Sequence, residues 1–163
     1  MTIIVFGVAG AGKTVVGKRV AQQLGWTFYD ADDFHSPENV EKMRQGIPLT
    51  DDDRWPWLDR LRQLILESQS SAGPIVLACS ALKQDYRQRL SAGRDVRFVY
   101  LKADPKLIAA RLRGRSEHFM NPDLLASQFD ALEEPAGHET VIVVDAADTL
   151  DAIAQQVQAA ITA

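Results

Sequence analysis

The chain of 163 residues lacks the features that mark several specialised classes of protein. Its one cysteine, Cys79, cannot form a disulfide within the chain, and no cysteine–histidine cluster has the spacing of a zinc site. No apolar run approaches the roughly 20 residues of a membrane-spanning helix. The first residues lack the basic region and the small-residue cleavage site of a secretory signal. These absences lead us to expect a cytoplasmic protein with no membrane partner.

An excess of basic residues is also absent. The chain has 22 acidic and 18 basic side chains, which gives a formal net charge of −4 at pH 7. A general nucleic-acid binder needs a basic surface, so we expect no nucleic-acid partner. A local basic pocket on an acidic protein can still bind a small anion. The hydrophobic share of 46% and the length fit one globular domain over residues 1–163.

Short apolar runs alternate along the chain with longer segments of helical periodicity. The run Ile75–Cys79 is almost continuously apolar, as expected of a strand that helices cover on both faces. The alternation predicts a three-layer α/β/α fold with a mainly parallel five-stranded sheet. The predicted strands are Thr2–Phe6, Trp26–Tyr29, Ile75–Cys79, Val96–Leu101 and Val141–Val144. The predicted helices are Lys13–Leu24, Lys83–Leu90, Asp123–Leu132 and Leu150–Ile161, with three more that begin at Pro37, after Thr50 and at Pro105. Ser36 is the predicted cap of the helix at Pro37, and Thr50 is the predicted cap of the helix that follows it.

A phosphate-binding motif lies between the first predicted strand and the first predicted helix. The segment Gly7–Thr14 reads GVAGAGKT and matches the pattern G-x-x-x-x-G-K-[ST] of phosphate-loop NTPases. Glycines let backbone N–H groups converge on phosphate oxygens without hindrance from a Cβ atom. In such a loop Lys13, a predicted catalytic residue, reaches the β- and γ-phosphates, and the Thr14 hydroxyl binds Mg²⁺. The predicted nucleotide-binding residues are Gly7, Val8, Ala9, Gly10, Ala11, Gly12, Lys13 and Thr14.

The motif alone does not identify the reaction. A GTPase would carry the base-recognition sequence Asn-Lys-x-Asp, and a dinucleotide-binding protein would carry G-x-G-x-x-G, but neither sequence is present. A mechanical ATPase would have an apolar strand that ends in Asp-Glu. The strand Val141–Val144 is instead followed by Asp145 and Ala146, so we interpret Asp145 as a turn residue.

Asp30 and Asp32 directly follow the second predicted strand. At positions i and i+2 they project the same way if the extended conformation persists. In a phosphotransferase, one carboxylate can organise the water around Mg²⁺ while the other accepts a proton from the attacking hydroxyl. A loop that simply begins with aspartates would show the same spacing. The spacing alone therefore favours neither the catalytic interpretation nor this one.

Further segments, spread over almost the whole chain, carry a resemblance to a known family. Two of them are especially specific, Pro48–Arg54 (PLTDDDR) and Cys79–Lys83 (CSALK). With these segments the chain resembles the gluconokinases, small phosphate-loop kinases related to shikimate and adenylate kinases. The resemblance implies ATP-dependent phosphorylation of D-gluconate at its 6-hydroxyl, with Mg²⁺, and it makes a homodimer the expected assembly. Other segments that carry it are Asp30–Asp32, Glu41–Met43, Pro56–Leu58, Tyr86–Arg87, Tyr100–Leu101, Arg111–Leu112, His118–Phe119, Gln128–Phe129 and Leu132–Glu133.

The resemblance also implies catalytic roles. Asp32 is the predicted base or the residue that orients the attacking hydroxyl, and Asp30 is the predicted Mg²⁺ contact through water. Arg111 and Arg115 resemble the cations of a mobile lid, at approximately residues 111–121, that would close over the phosphates. A basic helix end is the plain alternative. Because the cations continue past the helical pattern, the lid is favoured.

Eight side chains are predicted to bind the sugar acid. Arg54 and Arg87 carry forked donors that suit its carboxylate. Lys83 follows the predicted strand Ile75–Cys79, at the carboxyl end where open α/β sheets bind ligands. His35 and Asn39 are assigned to its hydroxyl groups, and His118 and Gln128 to further contacts on the substrate side. The complete predicted set is Asp32, His35, Asn39, Arg54, Lys83, Arg87, His118 and Gln128.

Plain alternatives exist for the two arginines. Arg54 can pair with Asp51 or Asp53 of its own helix, and Arg87 can be a solvated residue on a helix surface, as charged side chains usually are. The sequence leaves open two other functions, a shikimate-type or nucleotide kinase and a nucleotide-binding regulator without catalysis. It also leaves open whether the nearby tryptophans pack in the core or form a platform for the sugar, namely Trp55 and Trp57.

Overall fold

Five parallel strands form the central sheet in this computed structural model of the protein, which describes residues 1–113 and 122–162. The strands are β1 (Thr2–Phe6), β2 (Thr27–Asp30), β3 (Ile75–Ala78), β4 (Val96–Lys102) and β5 (Val141–Asp145). Their order across the sheet is β2-β3-β1-β4-β5. β1 lies at the centre, where Thr2 is paired with Ile75 on one side and with Val96 on the other. The carboxyl ends of all five strands therefore lie along one edge of the sheet.

Seven α-helices connect and cover the strands within those two ranges. They are α1 (Lys13–Leu24), α2 (Pro37–Arg44), α3 (Asp51–Glu67), α4 (Gln84–Leu90), α5 (Pro105–Arg113), α6 (Pro122–Ala131) and α7 (Leu150–Thr162). A short 3₁₀ turn at Ala31–Phe34 follows β2, and a π turn at Ser68–Ala72 follows α3. The sequence predicted neither of these two turns.

The two faces of the sheet carry separate apolar clusters because side chains alternate along a strand. Ile3 and Val5 of β1 face the cluster built with α1, α5 and α7. Ile4 and Phe6 face the cluster built with α3 and α4. All four residues are completely buried. This is the three-layer arrangement that the sequence predicted.

Local capping determines where two of the helices begin. The Thr50 hydroxyl accepts a hydrogen bond from the Asp53 N–H at 3.1 Å, and the Asp53 carboxylate accepts one from the Thr50 N–H at 2.9 Å. This reciprocal pair satisfies two N–H groups that the first turn of α3 cannot use. The Ser36 hydroxyl caps α2 in the same way, through the Asn39 N–H at 3.1 Å. Both caps were predicted from the sequence.

The sequence-based elements are confirmed, with boundaries that differ by a few residues at most. The interpretation of Asp145 as a turn residue is confirmed as well. Asp145 ends β5, and its carboxylate accepts a hydrogen bond from the Ala147 N–H at 2.9 Å. No helix within residues 1–113 and 122–162 combines the length and the apolar character that crossing a membrane requires.

Candidate active site

A pocket of about 390 Å³ lies at the carboxyl ends of β1, β2 and β3. The segment that follows β1 forms one side of it, and the residues that follow β2 and β3 form the other. This is the position at which open α/β sheets bind ligands. The lining residues are Ala9, Gly10, Gly12, Lys13, Thr14, Val15, Asp30, Asp32, Ala78, Cys79, Ser80 and Leu112.

The phosphate loop turns sharply from β1 into α1. Gly10 and Gly12 have φ angles of +81° and +102°, in the region that favours glycine. Gly12 is the last residue before α1, so the free N–H groups of the first helical turn face the pocket. A helix N-terminus with a glycine-rich approach binds phosphate well.

Lys13 is half-buried and lines the pocket. Its Nζ donates a hydrogen bond to the Val8 carbonyl at 3.1 Å, which folds the side chain over the loop. Burial lowers the pKa of Lys13, and the neighbouring Asp32, Cys79 and Asp30 oppose that change. A half-buried cation beside the loop is suited to neutralise phosphate charge, because its field is less screened there than in open solvent.

The two carboxylates that follow β2 have different partners. Asp30 accepts hydrogen bonds from the Thr14 hydroxyl at 3.2 Å and from the Asp32 N–H at 2.9 Å. The Asp32 carboxyl faces the pocket beside Lys13. Burial, reinforced by the charge of Asp30, raises the pKa of Asp32 above its ordinary value. A carboxylate with a raised pKa is a better proton acceptor, which suits a general base.

The oxygen atoms of Thr14 and Asp30 form a donor set that fits Mg²⁺. Hydroxyl and carboxylate oxygens are preferred magnesium ligands, and nucleotide sites complete the coordination with phosphate oxygens and water. Among the residues described, no group of three or more acidic, histidine or cysteine side chains could hold a metal without such help. The site therefore fits a magnesium ion that arrives with a nucleotide.

Two side chains from the helices on either side of residues 114–121 hold the backbone of the phosphate loop. Arg111 donates to the carbonyls of Gly10 at 3.3 Å and Ala11 at 3.1 Å, and to that of Ala146 at 2.5 Å. The Gln128 side-chain oxygen accepts a hydrogen bond from the Ala9 N–H at 2.7 Å. Three consecutive residues of the loop are thus held by α5 and α6. Arg111 and Gln128 therefore contact the backbone of the phosphate loop in this structure.

His35 and Asn39 lie beside α3. The His35 ring stacks on Trp57 with 4.1 Å between the ring centroids, and its Nδ1 lies 3.3 Å from Asn39 Nδ2. The same Asn39 nitrogen donates to the Asp53 carbonyl at 2.9 Å. Burial and the charge of Arg54 lower the pKa of His35 to about 4. His35 is therefore neutral near pH 7 and can act as a hydrogen-bond partner without a charge.

Trp57 itself is part of the core. It is 1% exposed, and its indole N–H donates to the Ala31 carbonyl at 2.7 Å. This bond ties α3 to the segment that carries Asp32. Trp55 packs edge-to-face on Tyr86, with 5.7 Å between the ring centroids. For both tryptophans the contacts in the structure are packing contacts.

Arg54, Lys83, Asp51 and Tyr86 form one group, here called the Tyr86 cluster, where α3 and α4 begin. Arg54 Nη1 donates to the Tyr86 hydroxyl at 3.0 Å, and Lys83 Nζ donates to Asp51 at 3.0 Å. The Tyr86 hydroxyl donates to the same Asp51 oxygen. The intrahelical ion pair considered for Arg54 is therefore replaced by a bond to another helix. The two predicted cations, Arg54 and Lys83, are brought together.

Arg87 has a different environment from the one predicted. Its side chain is 2% exposed, which excludes a solvated surface position. Nε and Nη2 bind the Glu139 carboxylate at 2.8 and 3.2 Å, and Nη2 also donates to the Glu133 carbonyl. Nη1 donates to the carbonyls of Ala81 and Leu82. Since all five N–H groups are used internally, we replace the predicted substrate contact of Arg87 with a structural role.

Two predicted site residues, Arg115 and His118, lie outside the residues described, as does most of the predicted lid. Three residues that line the pocket have no role predicted from the sequence, namely Cys79, Ser80 and Leu112. Cys79 and Ser80 directly follow β3, and that position could have identified them. Burial raises the pKa of the Cys79 thiol to about 12, so it remains protonated and unreactive near pH 7.

Comparison with known proteins gives a consistent result. The family profile for shikimate kinase matches residues 9–162. A curated relative from Xenopus tropicalis, "Probable gluconokinase", is 41% identical over 174 residues, which cover 97% of this chain and 92% of the relative. The "Thermosensitive gluconokinase" of Escherichia coli (strain K12) is 46% identical over 145 residues, or 87% of this chain and 76% of the relative.

A solved structure is similar in both sequence and fold. The crystal structure of a gluconokinase from Sinorhizobium meliloti 1021 superposes with a TM-score of 0.89 at 41% identity. The match covers 99% of this chain and 91% of that one. Likeness of this extent includes the sheet, the phosphate loop and the helices that carry the Tyr86 cluster.

Proposed function

The chain belongs to the shikimate kinase family and, within it, to the gluconokinases, and we propose that it transfers the γ-phosphoryl group of ATP to the 6-hydroxyl of D-gluconate. The products are ADP and 6-phospho-D-gluconate. One observation carries the proposal: the phosphate loop with Lys13 shares its pocket with the carboxyls of Asp30 and Asp32. The pocket thus holds a site for the donor phosphate beside an acceptor for the proton.

At phosphorus, the reaction makes one P–O bond and breaks one. The 6-hydroxyl oxygen of the sugar acid bonds to the γ-phosphorus, and the bond from that phosphorus to the β,γ-bridging oxygen breaks. The hydroxyl proton passes to the Asp32 carboxylate, which also orients the hydroxyl before attack. Lys13 neutralises negative charge on the β- and γ-phosphates. Positioning and charge neutralisation supply most of the rate enhancement in such transfers.

We also propose that Mg²⁺ accompanies ATP, held at Thr14 directly and at Asp30 through water. When bound, the ion neutralises phosphate charge and orients the β- and γ-phosphates. The hydrogen bond between Thr14 and Asp30 keeps the two oxygen donors adjacent before the nucleotide arrives. The side chains therefore need little rearrangement to accept the ion.

The sugar acid is proposed to lie between Asp32 and the Tyr86 cluster. Arg54 and Lys83 would bind its carboxylate, and the neutral His35 and Asn39 would bind its hydroxyl groups. His35 and Asn39 lie beside the start of α3, which carries Arg54, since Asn39 Nδ2 donates to the carbonyl of the neighbouring Asp53 and lies 3.3 Å from His35 Nδ1. The predicted substrate contact of Gln128 would require its bond to Ala9 to open.

The test is a coupled assay of ADP release with a panel of acceptors. The panel contains D-gluconate, other aldonic acids, shikimate and nucleoside monophosphates, each with ATP and Mg²⁺. Turnover with gluconate and none with shikimate or monophosphates is expected. Turnover of shikimate without turnover of gluconate would refute the substrate assignment and favour a shikimate-type kinase.

Binding of ATP without catalysis has to be distinguished from kinase activity. Calorimetry with ATP and Mg²⁺ measures binding independently of turnover. A regulator without catalysis would bind ATP and release no ADP on addition of gluconate. The Lys13→Ala variant serves as the control in both measurements, because it removes the half-buried cation and leaves the loop backbone in place.

Several further features are proposed from the resemblance. We infer a single kinase domain over residues 1–163 with a lid at about residues 111–121, in which Arg115 would approach the phosphates and His118 the substrate. We also infer a cytoplasmic homodimer. Sedimentation velocity with and without nucleotide tests the assembly, and a monomer at micromolar concentration would contradict it.

A further inference from the structure

Tyr86 contacts both cations that are assigned to the carboxylate of the substrate. The Cζ atom of Arg54 is 5.4 Å from the centroid of the Tyr86 ring, and Lys83 Nζ is 5.6 Å from it. The Tyr86 hydroxyl accepts from Arg54 and donates to Asp51, and Asp51 also accepts from Lys83. One ring and one carboxylate thus set the positions of both cations relative to each other.

The cluster is anchored in the core and opens to solvent at its charged ends. Tyr86 as a residue is 2% exposed, whereas the side chains of Lys83 and Asp51 are 31% and 49% exposed. A buried aromatic ring is a fixed platform, because packing leaves it few rotamers. The charged ends remain accessible to a ligand from solution.

The cations keep unused hydrogen-bond donors. Within the described part of the chain, Arg54 and Lys83 each use one N–H inside the cluster. Four N–H groups of the guanidinium and two of the ammonium are left for a ligand. With one carboxylate among its members, the cluster has a net charge of +1. A singly charged carboxylate ligand would make the group neutral and could bind both cations.

We infer that Tyr86 and Asp51 are positioning residues that make this kinase selective for an acceptor with a carboxylate. The inference rests on the proposed function. The Tyr86 hydroxyl orients the guanidinium of Arg54, whose Cζ atom lies 5.4 Å from the ring centroid. Asp51 holds the ammonium of Lys83 at a similar distance of 5.6 Å from that centroid. A substrate carboxylate then meets two cations in a prearranged geometry, which reduces the entropy lost on binding.

Replacement of the hydroxyl tests the inference directly. Tyr86→Phe keeps the ring below both cations and removes the bonds to Arg54 and Asp51. We expect the KM for gluconate to rise roughly three- to tenfold, the loss typical of one partly screened hydrogen bond to a charged group. The kcat and the KM for ATP should not change. The matched control is Tyr100→Phe, which removes a hydroxyl that contacts Glu134.

An uncharged competitor separates positioning from a general structural role. D-Glucitol has the same carbon chain and the same hydroxyl groups at C2 to C6 as gluconate, with an uncharged hydroxymethyl group in place of the carboxylate. Its inhibition constant against gluconate should be equal in Tyr86→Phe and the unsubstituted protein. A loss of affinity for glucitol as large as that for gluconate would show a merely structural role and would overturn the inference.

A second variant covers the case in which the buried tyrosine cannot be changed without unfolding. Asp51 is exposed, so Asp51→Asn should fold, and it should raise the KM for gluconate about threefold while glucitol inhibition is unchanged. The control on the same helix is Asp59→Asn, which removes a surface ion pair with Arg89 at 3.0 Å. An Asp51→Asn variant with an unchanged or lower KM for gluconate would overturn the inference.

Failure of the inference is distinguishable from failure of the proposed function. If the unsubstituted protein does not turn over gluconate, the proposed function fails before any variant is made. If it does, and the KM for gluconate is equal in Tyr86→Phe, Asp51→Asn and their controls, only the positioning role is refuted.

Discussion

Arg54 and Arg87 are both predicted from the sequence to bind the carboxylate of the sugar acid, yet they have opposite environments in the structure. Arg87 is buried, and all of its donors bind Glu139 and nearby carbonyls. Arg54 binds one tyrosine hydroxyl and keeps four donors for a ligand. The comparison shows that residue type and location on a helix do not decide a binding role; the number of donors left free by the fold decides it.

The phosphate-loop pocket provides the reference for this comparison, because its half-buried lysine is proposed to contact the phosphates. Lys13→Ala should reduce kcat/KM by about 10²- to 10³-fold, since the charge on the β- and γ-phosphates loses its compensation in a weakly screened site. Lys18→Ala on the same helix, a change outside the pocket, should have little effect. Near-normal activity of Lys13→Ala would remove the loop lysine from the mechanism.

Arg87→Met should act on stability and leave substrate affinity unchanged. It removes the partner of Glu139 and leaves three carbonyls without their donor, so the free energy of unfolding should fall by about 3 kcal/mol. Denaturant unfolding measures this, with Arg89→Met as the control for an exposed arginine on the same helix. A rise in the KM for gluconate in Arg87→Met without a loss of stability would restore the substrate contact originally predicted.

Arg54→Ala should give the opposite result. We expect the KM for gluconate to increase about 10- to 100-fold, because a charged, forked donor for the carboxylate is lost. The KM for ATP and the free energy of unfolding should be nearly unchanged. Arg60→Ala, in the same helix, is the control, since Arg60 donates to the Phe34 carbonyl. If Arg54→Ala chiefly destabilised the protein, the distinction between the two arginines would not hold.

The smallest expected effect is a pH dependence of the stability that the Arg87–Glu139 ion pair contributes. Hydrogen bonds from Arg87 lower the pKa of Glu139 below its ordinary value of 4.5. A carboxylate with a lowered pKa in the folded state contributes stability above pH 4.5, and this contribution is lost as the pH falls through the lowered pKa. The difference in unfolding free energy between the unsubstituted protein and Glu139→Gln should therefore shrink from pH 6 towards pH 3. A constant difference would show that the charge of Glu139 does not matter.

Much of the fold was predictable because its determinants are local. The apolar runs, the caps at Ser36 and Thr50 and the alternation of strands with helices each depend on a few consecutive residues. The short turns after β2 and α3 were not predicted, since no periodic pattern marks a single turn. Their position depends on how the neighbouring helices pack.

The candidate site was predictable in proportion to its continuity in sequence. Gly7–Thr14 is contiguous, and the structure gives it the turn into a helix and the pocket position that the motif predicts. The bonds from Arg111 and Gln128 to the loop join residues about 100 or more positions apart, so no sequence pattern could indicate them. The Tyr86 cluster likewise joins the beginnings of two helices more than 30 residues apart.

By itself, the order of residues determined the strands, the helices, the phosphate loop and the family, because backbone geometry and motif chemistry act over short stretches of chain. Only the tertiary structure decided which charged side chains stay available to a ligand. That choice depends on burial and on hydrogen bonds between distant segments. Arg87 and Arg54 both lie near the start of a helix, yet Arg87 is buried with its donors used internally and Arg54 keeps donors that a ligand could use.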